Sequence, residues 1–330
     1  MVPSVRSRSA EPGVSAALIL FGEACRETDL AGKCSLVTWL RVGTTISLRY
    51  VLLRPIGRGG VSVVYQAIDV ATARPCAVKL LAPAAAGDTR ARDGIRREAL
   101  IAQRLRHPSV PRVFDVGELP LADGYTSSYV VMELLIGQLL TARLADGPLP
   151  WREAVRTAAT AADVLAVAHR RGVVHRDLTT SNVMLTSGGA KVIDFGLATV
   201  TDNSAADSRR PPVRWATGTH RYELPAHPLG GAGRPGDDVY ALGVLLYTMV
   251  TGRSPYPSAS PGSPATGLRF SALAPTPVLV VAGLPRFVAD LCRACMSKQP
   301  GDRPTSSEAA FALWELVDRP SGYPVTAAAG

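Results

Sequence analysis

The chain has 330 residues, 47% hydrophobic and 19% charged, a balance that supports a folded core and excludes a wholly disordered polypeptide. Its length suits one large domain or two lobes. The net charge of +9 is carried mainly by Arg, dispersed and without aromatic–basic alternation, which reads as a solvated basic surface and argues against nucleic acid as a partner.

The five Cys are an odd, scattered set, unlike a disulfide framework, and fit a reducing compartment. Cys292-x-x-Cys295 has no second Cys/His pair and reads as a buried helix face, not a zinc site. No apolar run approaches the ~18 residues that a membrane span needs. Val14–Phe21 is a short apolar stretch after Arg6 and Arg8, with Cys25 behind it, but Glu23 interrupts a secretory reading, so the expected location is cytoplasmic. Residues 1–45 read as a poorly ordered or loosely docked extension, and residues 319–330 as a tail of small residues.

From Arg49 the pattern sharpens. Tyr50–Ile56 reads as a strand running into the turn Gly57-Arg58-Gly59-Gly60-Val61-Ser62, and Val63–Ala67 as the returning strand. Glycines there let backbone approach phosphate oxygens, and a strand follows where a dinucleotide fold needs a helix. Cys76–Leu80 is strand-like and holds Lys79, one of only four Lys in the chain. Arg96-Arg97-Glu98-Ala99 lies in a helical segment closed by Arg106-His107-Pro108. Tyr129–Glu133 is an apolar strand. Pro150–Arg171 is an Ala-rich amphipathic helix ended by Gly172.

His175-Arg176-Asp177-Leu178-Thr179-Thr180-Ser181-Asn182 follows, then short strands at Val183–Leu185 and Lys191–Ile193, then Asp194-Phe195-Gly196. A proton acceptor, an amide oxygen and a carboxylate at this spacing are what phosphoryl transfer from a metal-bound nucleotide requires. Residues 197–226 are polar and contain Thr217-Gly218-Thr219-His220-Arg221-Tyr222. An apolar helix is expected from Asp238 through Val250, a Pro/Ser-rich loop over Ser254–Pro277, and a last helix to about Val317 after Gly301-Asp302-Arg303-Pro304.

In this order, over about residues 49–318, these motifs resemble the eukaryotic-like protein kinases, and most nearly the bacterial serine/threonine form. The resemblance implies an α+β, bilobal fold. A small, mainly β N-lobe with its helix αC would occupy about 46–133, and a larger, mainly α C-lobe about 136–318. ATP and Mg²⁺ are the implied cofactors, and protein Ser/Thr hydroxyls the implied acceptors, with a homodimer as the route to trans-autophosphorylation. Lys79, held by Glu98, would orient the α- and β-phosphates. Asp177 would accept the hydroxyl proton, Asn182 and Asp194 would ligate the metal, and Thr219 would help accept the substrate. The implied nucleotide site comprises Ile56, Gly57, Arg58, Gly59, Gly60, Val61, Ser62, Val64, Ala77, Lys79, Met132, Glu133, Leu135 and Leu185. Met132 would guard the back of the adenine pocket, backbone groups of Glu133 and Leu135 would bond the adenine edge, and Leu185 would pack beneath it. Arg176 would receive a phosphate at Thr217, and Asp238 would brace the catalytic-loop backbone.

Two positions depart from that pattern. Thr179 stands where serine/threonine kinases usually carry a Lys that contacts the γ-phosphate. Leu224-Pro225-Ala226 replaces A-P-E, whose Glu normally pairs with the Arg matched by Arg303, so Arg303 needs another partner. A weak kinase is therefore expected, with a silent nucleotide-binding scaffold and a small-molecule phosphotransferase as alternatives. No sensor domain or anchor is expected to follow the kinase core.

Overall fold

The computed structural model describes residues 40–317 except 60–61, 87, 122–123, 125, 196–197, 201–232 and 257–274. Its N-terminal part is a six-stranded antiparallel sheet in the order β1-β2-β3-β4-β6-β5. The strands are β1 (Thr45–Ile46), β2 (Tyr50–Arg58), β3 (Ser62–Asp69), β4 (Arg74–Leu81), β5 (Val113–Pro120) and β6 (Thr126–Met132). Short α1 (Pro83–Ala86) and long α2 (Thr89–Leu105) connect β4 to β5.

Strand alternation gives this sheet two apolar faces. Tyr129 and Val131 of β6 join Tyr50, Leu52, Tyr65 and Val78 on one side. Val130 and Met132 point the other way, toward Ile95 and Ala99 of α2. A strand covered on both faces reads as continuously apolar, which is why Tyr129–Met132 shows no polar alternation. The α2 helix also reaches beyond the sheet, since Ile101 and Leu105 are buried in the helical core.

The C-terminal part is built on α4 (Trp151–Arg170), which packs against α5 (Pro235–Thr251) and α7 (Ser306–Val317); α3 (Leu140–Ala145) precedes it and α6 (Arg286–Cys295) lies on α5. Alanines along α4 are almost all buried, and their small side chains let neighbouring helices approach. Close packing recurs at Gly243, where a Cβ would stand 2.8 Å from both Cys295 Cβ and Met296 Cγ. Gly172 ends α4 with a left-handed φ of 69° and directs the chain into β8 (Val173–Val174), which pairs with β11 (Thr199–Val200). Strands β7 (Gly137–Leu139), β9 (Val183–Thr186) and β10 (Gly189–Val192) form a second small sheet.

Three local readings shift. Strand β2 continues to Arg58 and β3 begins at Ser62, so Gly57 and Arg58 lie in the ladder, opposite Val64 and Val63. Helix α5 begins at Pro235, three residues before Asp238, with Arg234 as its cap and Asp237 bonding back to the Arg234 amide. Proline suits a first helical turn because the amide it lacks has no intrahelical partner. The end of the N-terminal extension is part of the fold: Leu40 packs against the first sheet cluster, and Thr45 pairs with Val51. A two-residue strand carries no period by which to detect it.

Cys292 and Cys295 are buried on α6, as the helix-face reading expects. Burial pushes both thiols up. No group of His, Cys, Asp or Glu among the described residues could hold a metal by itself.

Candidate active site

Cross-strand register puts Val64, Lys79 and Val130 in one row, with Ala77 opposite Met132 two residues along. From this row Lys79 Nζ donates to both Glu98 carboxylate oxygens at 2.8 Å. It also lies 3.4 Å from Asp194 Oδ1. The Lys79 and Glu98 side chains are only 14% and 12% exposed, so the pair is largely withdrawn from water. Burial works against the charged Lys79, but the carboxylates of Asp194 and Glu98 outweigh it and hold the ammonium above its ordinary range. Burial pushes the Glu98 carboxyl up to about 7, against the pull of Lys79.

The loop from His175 to Asn182 is fixed by groups that are themselves fixed. Asp238, fully buried, accepts the His175 amide at 2.7 Å and the Arg176 amide at 2.8 Å. His169 of α4 bridges Asp238 Oδ2 and Ser306 Oγ, each at 2.8 Å. The His175 ring packs on Phe195 with centroids 4.6 Å apart, and its Nδ1 accepts the Asp177 amide at 3.3 Å. Asn182 Nδ2 donates to the Asp177 carbonyl at 2.8 Å and to its carboxylate at 3.1 Å. Arg176 and Asp194 take left-handed φ values of 69° and 66°, a conformation uncommon outside glycine that a tightly held site can sustain.

His169 was not singled out from the sequence, although a His near the end of the predicted Pro150–Arg171 helix, six residues before His175, was visible. Changing Asp238 to Ala leaves one buried and one part-buried amide without an acceptor and should cost about 3 kcal/mol at about 1–3 kcal/mol per orphaned group, read as a lower urea midpoint. An unchanged midpoint would contradict the bracing role.

Between the two parts, the Glu133 amide donates to the Arg112 carbonyl at 2.8 Å and is thereby committed within the fold. The Glu133 carboxylate receives Lys191 Nζ at 3.1 Å. Leu135, Leu139, Met184 and Ile193 form a small apolar cluster beside it. Here the expectation for Leu185 is corrected. Strand alternation sends Met184 toward Leu135 and Ile193, while Leu185 turns away and packs on the helical core. Across the glycine turn, the Gly59 amide donates to the Ser62 carbonyl at 2.7 Å. Ile56 and Ser62 are buried, whereas Gly57, Arg58 and Val64 keep some exposure. Gly60, Val61, Gly196, Thr217 and Thr219 lie outside the described residues.

The protein kinase domain family matches residues 50–314, four-fifths of the chain. The chain belongs to the protein kinase family. It is 35% identical over 286 residues to a probable serine/threonine-protein kinase of Corynebacterium efficiens, matching 83% of this chain and 42% of that protein. To the serine/threonine-protein kinase PknA of Mycobacterium tuberculosis it is 33% identical over 265 residues, 80% of this chain and 60% of PknA. The chain thus spans roughly half the length of these curated relatives. Among solved structures, a mutant form of the PknI kinase domain of Mycobacterium tuberculosis superposes with a TM-score of 0.62 at 26% identity, covering 84% of this chain and 99% of the other. The bilobal kinase fold is therefore present. Among the described residues, no helix is long and apolar enough to cross a membrane.

Two departures from the family pattern can now be placed. Thr179 is nearly buried, and its Oγ1 shares a hydrogen bond with Ser181 Oγ at 2.8 Å. Arg303 has a partner of its own: Nη1 donates to the Gly236 carbonyl at 2.7 Å and lies 3.6 Å from Asp237 Oδ1, while Nε donates to the Ser297 carbonyl at 2.9 Å. Its guanidinium also lies 4.9 Å from the Tyr240 ring centroid. Asp237 was the visible signal, a second carboxylate beside Asp238. Ala226 lies outside the described residues.

Proposed function

We propose that this chain transfers the γ-phosphate of Mg-ATP to Ser and Thr hydroxyls of proteins. One observation carries the reading: the Lys79–Glu98 pair meets Asp194 at 3.4 Å, while Asn182 holds Asp177 within the catalytic loop. Family membership and the names of the relatives support the same activity.

The donor set fits the metal. Asn182 commits its amide nitrogen to Asp177, which leaves Oδ1 as the atom that can ligate a cation. An amide oxygen and the Asp194 carboxylate are hard ligands, suited to Mg²⁺ that completes its shell with phosphate oxygens and water. When bound, Mg²⁺ neutralises charge on the β- and γ-phosphates.

Lys79 binds the α- and β-phosphates, oriented by Glu98. Met132, the Glu133 carbonyl and the Leu135 backbone receive the adenine, with Met184 beneath it. The glycine turn covers the phosphates. Asp177 accepts the proton as the acceptor oxygen attacks the γ-phosphorus and the bond to ADP breaks. Most of the acceleration is positioning and electrostatics. Trans-autophosphorylation by a second copy, with phosphate at Thr217 received by Arg176, is the regulatory part of the reading. An ATP-consuming reaction places the site on the cytoplasmic side, where ATP is. Phosphoamino-acid analysis after incubation with γ-labelled Mg-ATP and a generic protein acceptor should show phosphoserine and phosphothreonine. Label on an aminoglycoside alone, or nucleotide binding with no transfer, would overturn the proposal.

The pH dependence has opposite signs for stability and for transfer. A Glu98 carboxyl raised from 4.5 to about 7 binds its proton more readily in the fold than in the unfolded chain. Its stabilising contribution is present at low pH and is lost as pH rises through about 7. Transfer needs the ionised form to hold Lys79, so native kcat/KM should fall as pH drops through about 7. In Glu98→Gln that limb should disappear from an already reduced profile. The same limb in both proteins would assign it to another group.

A further inference from the structure

The kinase reading requires Glu98 to be held where it meets Lys79, and one side chain outside the site grips the helix that carries it. Helix α2 ends at Leu105, and Arg106 turns the chain away with a left-handed φ of 41°. The last carbonyls of a helix have no partner within it. Arg171 provides one: its Nη1 donates to the Arg104 carbonyl at 2.5 Å and to the Leu105 carbonyl. The guanidinium also faces the negative end of the helix dipole.

Arg171 is the residue that closes α4. Asp177 follows six residues later, and Glu98 lies six residues before Arg104 on α2. Beside the buried Ile101 and Leu105, Arg171 therefore adds a polar joint between the end of the Glu98 helix and the start of the segment that bears Asp177. Two contacts hold the neighbouring loop: His107 Nε2 lies 3.1 Å from Asp163 Oδ2, and the Val192 amide donates to the Ser109 carbonyl at 2.8 Å. Those contacts lie beyond the helix. Among the described residues, Arg171 is the side chain that bonds the terminal carbonyls of α2 itself. It is exposed, so its removal opens no cavity in the core.

We propose that Arg171 is a positioning residue: by pinning the C-terminal end of α2 to the entrance of the catalytic loop, it sets where Glu98 presents its carboxylate to Lys79. This rests on the kinase reading and adds to it a link between the two parts of the fold that is independent of phosphate in the activation segment.

The test compares the native chain with Arg171→Ala, Arg171→Lys, Glu98→Gln and the double variant Arg171→Ala/Glu98→Gln. Affinity for a fluorescent Mg-ATP analogue, kcat/KM for phosphate transfer and melting temperature are measured for each. Loss of two charge-assisted hydrogen bonds should weaken nucleotide affinity about tenfold in Arg171→Ala, with the melting temperature nearly unchanged. Arg171→Lys, which keeps the charge, should recover part of that loss. In the Glu98→Gln background, Arg171→Ala should add about twofold or less, because the group it positions has gone. Unchanged affinity in Arg171→Ala, or penalties that multiply in the double variant, would overturn the inference. A lowered melting temperature with normal affinity of the folded fraction would make Arg171 purely structural, and also overturn it. Because affinity is read apart from transfer, a native chain that binds nucleotide but transfers no phosphate counts against the proposed function, not against this link.

Discussion

Lys79→Met should lower phosphate transfer by at least about a hundredfold, the scale seen when one preorganised donor aimed at developing charge is removed. Its effect on stability should be small, for a reason specific to this site. Leaving a buried carboxylate without its cation is ordinarily expensive. Glu98, however, is already pushed up to about 7 by burial, and Asp194 pushes it in the same direction. Without Lys79 it should simply stay protonated at neutral pH, so the charge vanishes instead of being stranded. Transfer assays and thermal melts on one preparation separate the two effects. A variant that unfolds at pH 7 but is rescued by acid would show that Glu98 remained ionised, contrary to this reasoning.

Thr179→Lys should act in the opposite direction and raise kcat by about tenfold, because one further donor at a developing charge is worth at least that much. The native side chain contributes no cation, and its hydroxyl is spent on Ser181. Four carbons extend a Lys ammonium well past that hydroxyl, from the same loop that bears Asp177 and Asn182. If the chain compensates for Thr179 with a cation elsewhere, the substitution will instead leave kcat unchanged or reduce it. Steady-state kinetics with saturating Mg-ATP distinguish these results, since the argument concerns kcat rather than nucleotide affinity.

The order of the motifs was legible because each carries its own local signal. Lys79 stands alone in an apolar strand, Glu98 follows nineteen residues later on a helix, and the acidic residues at 177 and 194 sit on loops next to short apolar strands. Fold class followed from that order. What stayed hidden depended on geometry that spacing does not encode. Met184 and Leu185 are adjacent apolar residues, and only the strand register shows which faces Leu135. Asp237 could be seen beside Asp238, but not that a buried Arg303 would turn to it. The Arg171 contact joins residues 67 apart through backbone carbonyls, which every residue possesses and no motif records. Helix α5 began early because Pro235-Gly236 looks like a turn in sequence, although proline is welcome at a helix start.

The most direct measurement is a time course of autophosphorylation with γ-labelled Mg-ATP, comparing the native chain with Asp177→Asn. The substitution is nearly isosteric and leaves the Asn182 contact to the Asp177 backbone in place. The native chain should incorporate phosphate on Ser and Thr, and Asp177→Asn should do so about a hundredfold or more slowly, the usual worth of a positioned general base. Equal incorporation by the two proteins would contradict the account.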